Sequence, residues 1–168
     1  RADVVDMQRM IEEYLAFAKG QDMEAIQNVD LDALLAEIRE DMRRQNLDLE
    51  TTAQGDMMLP ARRNGLKRCL TNLIDNAYAH GSRVQVTAER RAKQMLIQVD
   101  DNGPGIPTEQ REAVFRAFRR LDSARGPDTG GAGLGLTIAR DVVRGLGGDI
   151  RLDDAPLGGL RVEIRLPI

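Results

Sequence analysis

Cysteine and histidine each occur once in the 168 residues, tryptophan does not occur, and aromatic residues make up only 3% of the chain. A single cysteine, Cys69, rules out an internal disulfide and fits a reducing compartment. With so few rings, the core has to be built from Leu, Ile, Val, Met and Ala. No apolar run approaches the roughly 18 residues that a membrane-spanning helix needs. Charge of one sign is lacking too. The 24 Lys and Arg stand against 27 Asp and Glu, a net charge of −3, so there is no bias toward nucleic acid or an anionic surface. The length fits one domain with a small appendage.

What is present is glycine, gathered in two clusters. The first is Asp101-Asn102-Gly103-Pro104-Gly105, and the second is Gly130-Gly131-Ala132-Gly133-Leu134-Gly135-Leu136. Upstream lie Asn72 and Asn76, four apart and therefore on one face of a helix. Either glycine cluster alone signals only a turn. Together with the asparagine helix they make a set that can hold a nucleotide. It has a carboxylate for a base, an amide for a metal ion, and backbone N–H groups at a helix start for phosphates. The expectation is an ATP site.

In chain order, Val4, Met7, Ile11, Tyr14 and Ala18 are spaced as in a helix packed on other helices. The chain opens at Arg1 inside this pattern and is expected to be part of a longer protein. Leu31, Leu34, Leu35, Ile38 and Met42 mark an amphipathic helix. Leu47, Leu49 and Thr51 alternate as in a half-buried strand, with Met57–Leu59 as its expected short partner. Pro60 suits the opening of the next helix, expected over 61–79, with Leu66, Cys69, Leu70, Leu73, Ile74 and Ala77 buried. A hairpin follows, Val84–Ala88 with Met95–Asp100. A short helix is expected from Thr108 as N-cap, carrying Val114, Phe115 and Phe118. Residues 119–131 are basic, polar and glycine-rich without a hydrophobic period, as in a lid loop. A helix over Gly133–Gly147 and strands Ile150–Leu152 and Leu160–Leu166 close the chain.

Hairpins mixed with three longer helices predict an α+β, two-layer α/β sandwich: a mixed sheet of about five strands on three helices, preceded by the N-terminal helix. A Rossmann fold needs βαβ units and a glycine motif directly after its first strand, and neither is seen.

These residues resemble the catalytic, ATP-binding domain of sensor histidine kinases, within the gyrase, Hsp90, histidine kinase and MutL (GHKL) superfamily. Asn72-Leu-Ile-Asp-Asn76-Ala resembles the N box and Asp101-Asn-Gly-Pro-Gly105-Ile the G1 box. Phe115-Arg-Ala-Phe118 resembles the F box and Gly131-Ala-Gly-Leu-Gly-Leu136 the G2 box. Asp122-Ser-Ala-Arg125 points to the osmosensor, EnvZ-like branch. The resemblance covers residues 30–168 and implies a Bergerat-type sandwich for that span. Residues 1–20 would then be the end of a second dimerisation helix, with 21–29 as a linker.

The resemblance also implies roles. Asp101 would accept from the adenine amino group, with Gly103, Gly105 and Ile106 around the base. Asn76 would coordinate Mg²⁺, a hard cation that prefers oxygen and keeps several waters. Asn72 would support the phosphate end, and His80, four residues after Asn76, would stand by the base or ribose. Gly131, Gly133, Leu134, Gly135 and Leu136 would bring backbone N–H groups to the phosphates. Phe118 belongs to the nucleotide set by its F-box place, and Arg120 and Arg125 would meet phosphate charge or a partner.

Two positions depart from the family. Ala79 stands where many members carry a Lys or Arg that reaches the phosphates. Asn72 stands where the family's ATP hydrolases carry a Glu, and an amide is no general base. His80 is placed for the pocket, so the phosphoacceptor histidine is expected on another segment, a dimerisation helix hairpin. The expected function is to position Mg-ATP for phosphoryl transfer to that histidine, for relay to a response regulator. The setting implied is a homodimer and the cytoplasmic part of a bacterial inner-membrane protein, without nucleic acid. A nucleotide-binding regulatory module of pseudokinase type and a self-contained ATPase are the alternatives.

Overall fold

Alternation of apolar and polar residues builds a sheet with one wet and one dry face. In the computed structural model, residues 24–115 and 132–168 are described, the side chains of 132–134 excepted, together with residues 4, 5, 8, 9, 11, 12 and 15, which are helical. The main sheet has the order β2-β4-β5-β7-β6, from β2 (Glu50–Gln54), β4 (Val84–Arg90), β5 (Gln94–Asp101), β6 (Asp149–Asp154) and β7 (Leu160–Pro167). The β2–β4 pair is parallel and the other three pairs are antiparallel.

Val84, Val86, Ala88, Met95, Ile97, Val99, Ile150, Val162 and Ile164 all point to the dry face, where they are buried. Three helices cover it: α1 (Leu31–Arg43), α2 (Arg63–His80) and α3 (Ala132–Gly145). The opposite face carries a ladder of polar side chains. Gln98 donates to Glu163 (3.0 Å), and Arg161 grips Asp100 with two hydrogen bonds of 2.7 and 2.9 Å. The expected two-layer α+β sandwich of five strands and three helices is the fold observed.

Local chemistry explains the helix bounds. Asp30 caps α1 by accepting from the N–H groups of Asp32 (3.0 Å) and Ala33 (3.3 Å). Leu31, Leu34, Leu35, Ile38 and Met42 then fall on its buried stripe, as expected. Helix α2 buries Leu66, Cys69, Leu70, Leu73, Ile74 and Ala77, again as expected. Glu37 on α1 joins Arg63 and Lys67 on α2, and these two cations hold its carboxyl below the usual carboxylate range.

Several local expectations need correction. Met57–Leu59 is not the partner of a strand near residue 49. Residues Met58–Ala61 form β3, which pairs antiparallel with β1 (Gln27–Asp30), a strand the periodicity did not announce. Pro60 sits inside β3, and α2 begins at Arg63. A proline on the edge of a two-stranded ribbon lacks only an N–H that no strand needs. The strand after Leu49 runs over Glu50–Gln54 and joins β4 in parallel. No helix starts at Thr108 as N-cap. Two single 3₁₀ turns, Thr108–Gln110 and Ala113–Phe115, stand there, and Pro107 occupies the cap position without a side-chain bond. Helix α3 ends at Gly145 rather than Gly147. Gly147, with φ of +82°, supplies the left-handed turn that stops it.

Candidate functional site

The last residues of β5 bring two consecutive carboxylates to one end of the sheet, and the pleat sends them to opposite faces. Asp100 is 3% exposed and neutralised by the Arg161 fork on the polar face. Asp101 is 4% exposed and turns toward the helices. Its Oδ1 accepts from the N–H groups of Gly103 (2.9 Å) and Leu160 (3.1 Å). Its carbonyl accepts from Gly159 N–H at 3.1 Å. No partner of Oδ2 is found among the described residues. A carboxylate held by two backbone donors, with one oxygen left over, is fixed in orientation and still able to accept.

Asp101 faces a cavity of about 50 Å³ that it lines with His80, Gly105, Ile106 and Leu160. Four of these five are residues expected at the base end. Gly105 has φ of +75°, a left-handed conformation that glycine adopts without strain. Gly103 passes so close to the end of α2 that a Cβ on it would lie 2.5 Å from the His80 carbonyl oxygen. The loop can cross there only as glycine.

From His80 the site runs back along α2, through Asn76 to Asn72, one turn at a time. Both asparagines are half-buried, and neither side chain has a hydrogen-bond partner among the described residues. Opposite Asn72 stands Gly135 in the first turns of α3, where an added Cβ would lie 4.0 Å from Asn72 Cβ. The first turns of α3 therefore lie beside the asparagines, at the positive end of the helix dipole. Cys69 on α2 closes the seam below, its Sγ 3.7 Å from the Ala139 carbonyl oxygen. Burial pushes this thiol up to about 12, which makes it an inert core group, as expected.

Over residues 61–168 the chain matches the family of histidine kinase-, DNA gyrase B- and HSP90-like ATPases. It belongs to that family. The sensor histidine kinase GtrS of Pseudomonas aeruginosa is 36% identical over 166 residues, 98% of this chain and 34% of GtrS. The sensor protein RstB of Escherichia coli is 33% identical over 180 residues, 99% of this chain and 40% of RstB. The crystal structure of the ATP binding domain of PrrB from Mycobacterium tuberculosis matches with a TM-score of 0.71 at 30% identity. That match covers 86% of this chain and 98% of the PrrB chain. The chain thus spans about a third of the length of the curated relatives it matches. By family the chain is a histidine kinase-, gyrase B- and HSP90-like ATPase domain, and its fold is that of the PrrB ATP binding domain.

Within this ATPase domain the structure brings together Asp101, Gly103, Gly105, Ile106 and His80 at one end, and Asn72 and Gly135 at the other, with Asn76 between. Leu136 is 5% exposed and its side chain belongs to the core, so only its backbone is available to a ligand. Gly133 and Leu134 lie in the first turn of α3 by their backbone. Phe118, Arg120, Arg125 and Gly131 lie outside the described residues. Of the F box, Phe115 is buried, its carbonyl accepting from Thr137 Oγ1 (2.7 Å) and its ring lying 4.8 Å below the Arg140 guanidinium.

Sequence reasoning missed three residues at the base end. Leu160 lines the cavity and donates its N–H to Asp101, and Gly159 lies against the same carboxylate. Asn102 Oδ1 accepts from the N–H groups of Ser82 and Arg83 (both 2.9 Å), tying the glycine loop to the turn after α2. Gly158-Gly159 was the available signal for the first pair, a glycine doublet opening a strand. Asn102, inside the G1 motif, read as one more turn residue.

The residues present fit a magnesium nucleotide. Among the described residues no three His, Cys, Asp or Glu side chains gather to cage a metal ion. The Asn76 side chain carries an amide oxygen of the hard kind that Mg²⁺ takes alongside water and phosphate oxygens.

Proposed function

We propose that this domain positions Mg-ATP for phosphoryl transfer to a histidine on a dimerisation helix hairpin. The oriented, half-committed carboxylate of Asp101 is the observation that carries this reading. Its free oxygen accepts from the adenine amino group, while Gly105, Ile106 and Leu160 bound the base. Leu160 N–H and Gly103 N–H keep the carboxylate from rotating away. Bound Mg-ATP supplies the transferable phosphoryl group and the metal charge that offsets it. Asn76 holds the metal's side through its amide oxygen, Asn72 supports the phosphate end, and the α3 N-terminus offers N–H groups and a favourable dipole. Phosphoryl transfer asks little else of the domain, since positioning and charge neutralisation do most of the catalysis. His80 serves the base end. Dimerisation through the hairpin, relay to a response regulator and a cytoplasmic location complete the proposal. So does a division of the chain at residues 20 and 30.

The test is calorimetric titration of Mg²⁺ with a non-hydrolysable ATP analogue into this chain. The parent binds, Asp101→Ala loses most of the binding, and Asn76→Ala loses its Mg²⁺ dependence. No heat from the parent would remove the ATP site. A regulatory, nucleotide-binding reading is favoured by one observation: Ala79 is exposed and puts no cation beside Asn72 and Asn76. A histidine-hairpin fragment added in trans with ATP separates the two, because it gains phosphate only if the domain is a working kinase.

A further inference from the structure

Helix α2 starts without a cap of its own. Arg62 at the N-cap makes no side-chain capping bond, and the first turn holds no acidic residue. The N–H groups left open are taken by Glu24, some 40 positions upstream. Its Oε2 accepts from Asn64 N–H at 2.7 Å and its Oε1 from Gly65 N–H at 3.0 Å. A capping aspartate would satisfy the same two donors, and the carboxylate also meets the positive end of the helix dipole.

Arg62, freed from capping, reaches the other way. Its Nε donates to the Glu24 carbonyl (3.1 Å) and its Nη1 to the Gly145 carbonyl (3.4 Å), at the last residue of α3. One residue of the connecting segment therefore touches the start of α2 and, through Arg62, the end of α3. Those helices carry Asn72, Asn76 and Gly135.

We infer that Glu24 is a positioning residue for the nucleotide site, a removable cap through which docking of the connector and binding of nucleotide favour each other. The inference rests on the nucleotide reading above. When Glu24 leaves, two N–H groups open, the first turn of α2 loosens, and Arg62 keeps one acceptor of two. The α2–α3 seam, set at Cys69–Ala139 and at Asn72–Gly135, loses its far anchor. Coupling of this kind is reciprocal: the factor by which docking raises nucleotide affinity is the factor by which nucleotide raises docking.

The experiment uses this chain beside Glu24→Ala and Glu24→Gln, the second keeping an acceptor oxygen without the charge. The Mg²⁺–analogue titration is run well below all melting transitions. Amide hydrogen exchange over residues 62–66 is followed with and without nucleotide. Glu24→Ala is expected to bind about three- to tenfold more weakly, in line with the loss of a helix cap, and Glu24→Gln to fall between. Nucleotide slows exchange over 62–66 in the parent and much less in Glu24→Ala. Equal affinities with a lowered melting temperature would make the cap purely structural and overturn the inference. Exchange at 62–66 that ignores nucleotide in the parent would overturn it as well. A parent that binds nothing sinks the nucleotide reading, and the coupling with it. A parent that binds while both variants match it sinks the coupling alone.

Discussion

The two ends of the proposed nucleotide site are built on opposite plans. At the base end the backbone is interlocked. Asp101 is held by Gly103 and Leu160, its carbonyl by Gly159, and the loop by Asn102 on Ser82 and Arg83. At the other end, Asn72 and Asn76 have no partner among the described residues, and Gly135 faces Asn72 with ordinary space between them. The difference follows from what each end has to hold. On the proposed reading a base is recognised by one carboxylate in one orientation, and that orientation is fixed in advance by tight packing. Phosphates and a metal ion bring their own charge and geometry, so that end needs open donors and acceptors more than it needs rigidity.

The largest effect should come from forcing a methyl group into the interlocked end. A Cβ at Gly159 would overlap Asp101 Oδ1 and stand 2.5 Å from Gly103 nitrogen and 2.6 Å from the Asp101 carbonyl oxygen. All are parts of one hydrogen-bonded loop, so no flexible side chain can give way. Gly159→Ala is expected to cost about 3 kcal/mol or more in chemical denaturation, the upper range for overpacking, and to abolish nucleotide binding. A variant with near-parental stability would show that the base end is plastic, and the contrast between the ends would fall.

Asn102→Ala probes the same end more gently, because the side chain is exposed and water can replace it. It removes the acceptor for two N–H groups and the donor to Ser82 Oγ at 3.1 Å. A loss of about 1–2 kcal/mol is expected, with a matching rise in backbone exchange at Ser82 and Arg83. Loss of nucleotide affinity beyond what the fall in stability explains would make Asn102 part of the recognition apparatus as well as its brace.

Much of this was legible in the sequence, and the reasons differ by region. The buried stripes of α1 and α2 and the β4–β5 hairpin follow from periodicity, because one dry face selects one set of residues. The β1–β3 ribbon did not follow. Gln27–Asp30 has only Val29 buried, so nothing alternates, and its pairing is with a strand about 30 residues away, which no local pattern encodes. Asp101, Gly103 and Gly105 were found because motif spacing carries the demand for an acceptor and a glycine loop. Gly159, Leu160 and Glu24 were not. The contacts of Gly159 and Leu160 with Asp101 join positions 58 and 59 residues apart, those of Glu24 with α2 positions 40 and 41 apart, and no local pattern encodes such distances.

The smallest effect, and the most telling about the open end, is expected of Gly135→Ala. Gly135 lies inside α3, and among the described residues its nearest neighbour beyond the helix is Asn72 Cβ at 4.0 Å from the added methyl, an ordinary contact. Alanine there costs no packing and spares the chain the entropy of ordering a glycine. Stability is expected to rise by about 0.5–1 kcal/mol in denaturant unfolding. The methyl group would project into the space between α3 and Asn72, where the proposed phosphate end lies, so nucleotide affinity should fall while stability rises. A glycine kept against helix propensity then has its reason in the ligand rather than in the fold. If Gly135→Ala raised stability and left affinity untouched, the phosphates would have to sit elsewhere along α3. The open end of the site would then be drawn in the wrong place.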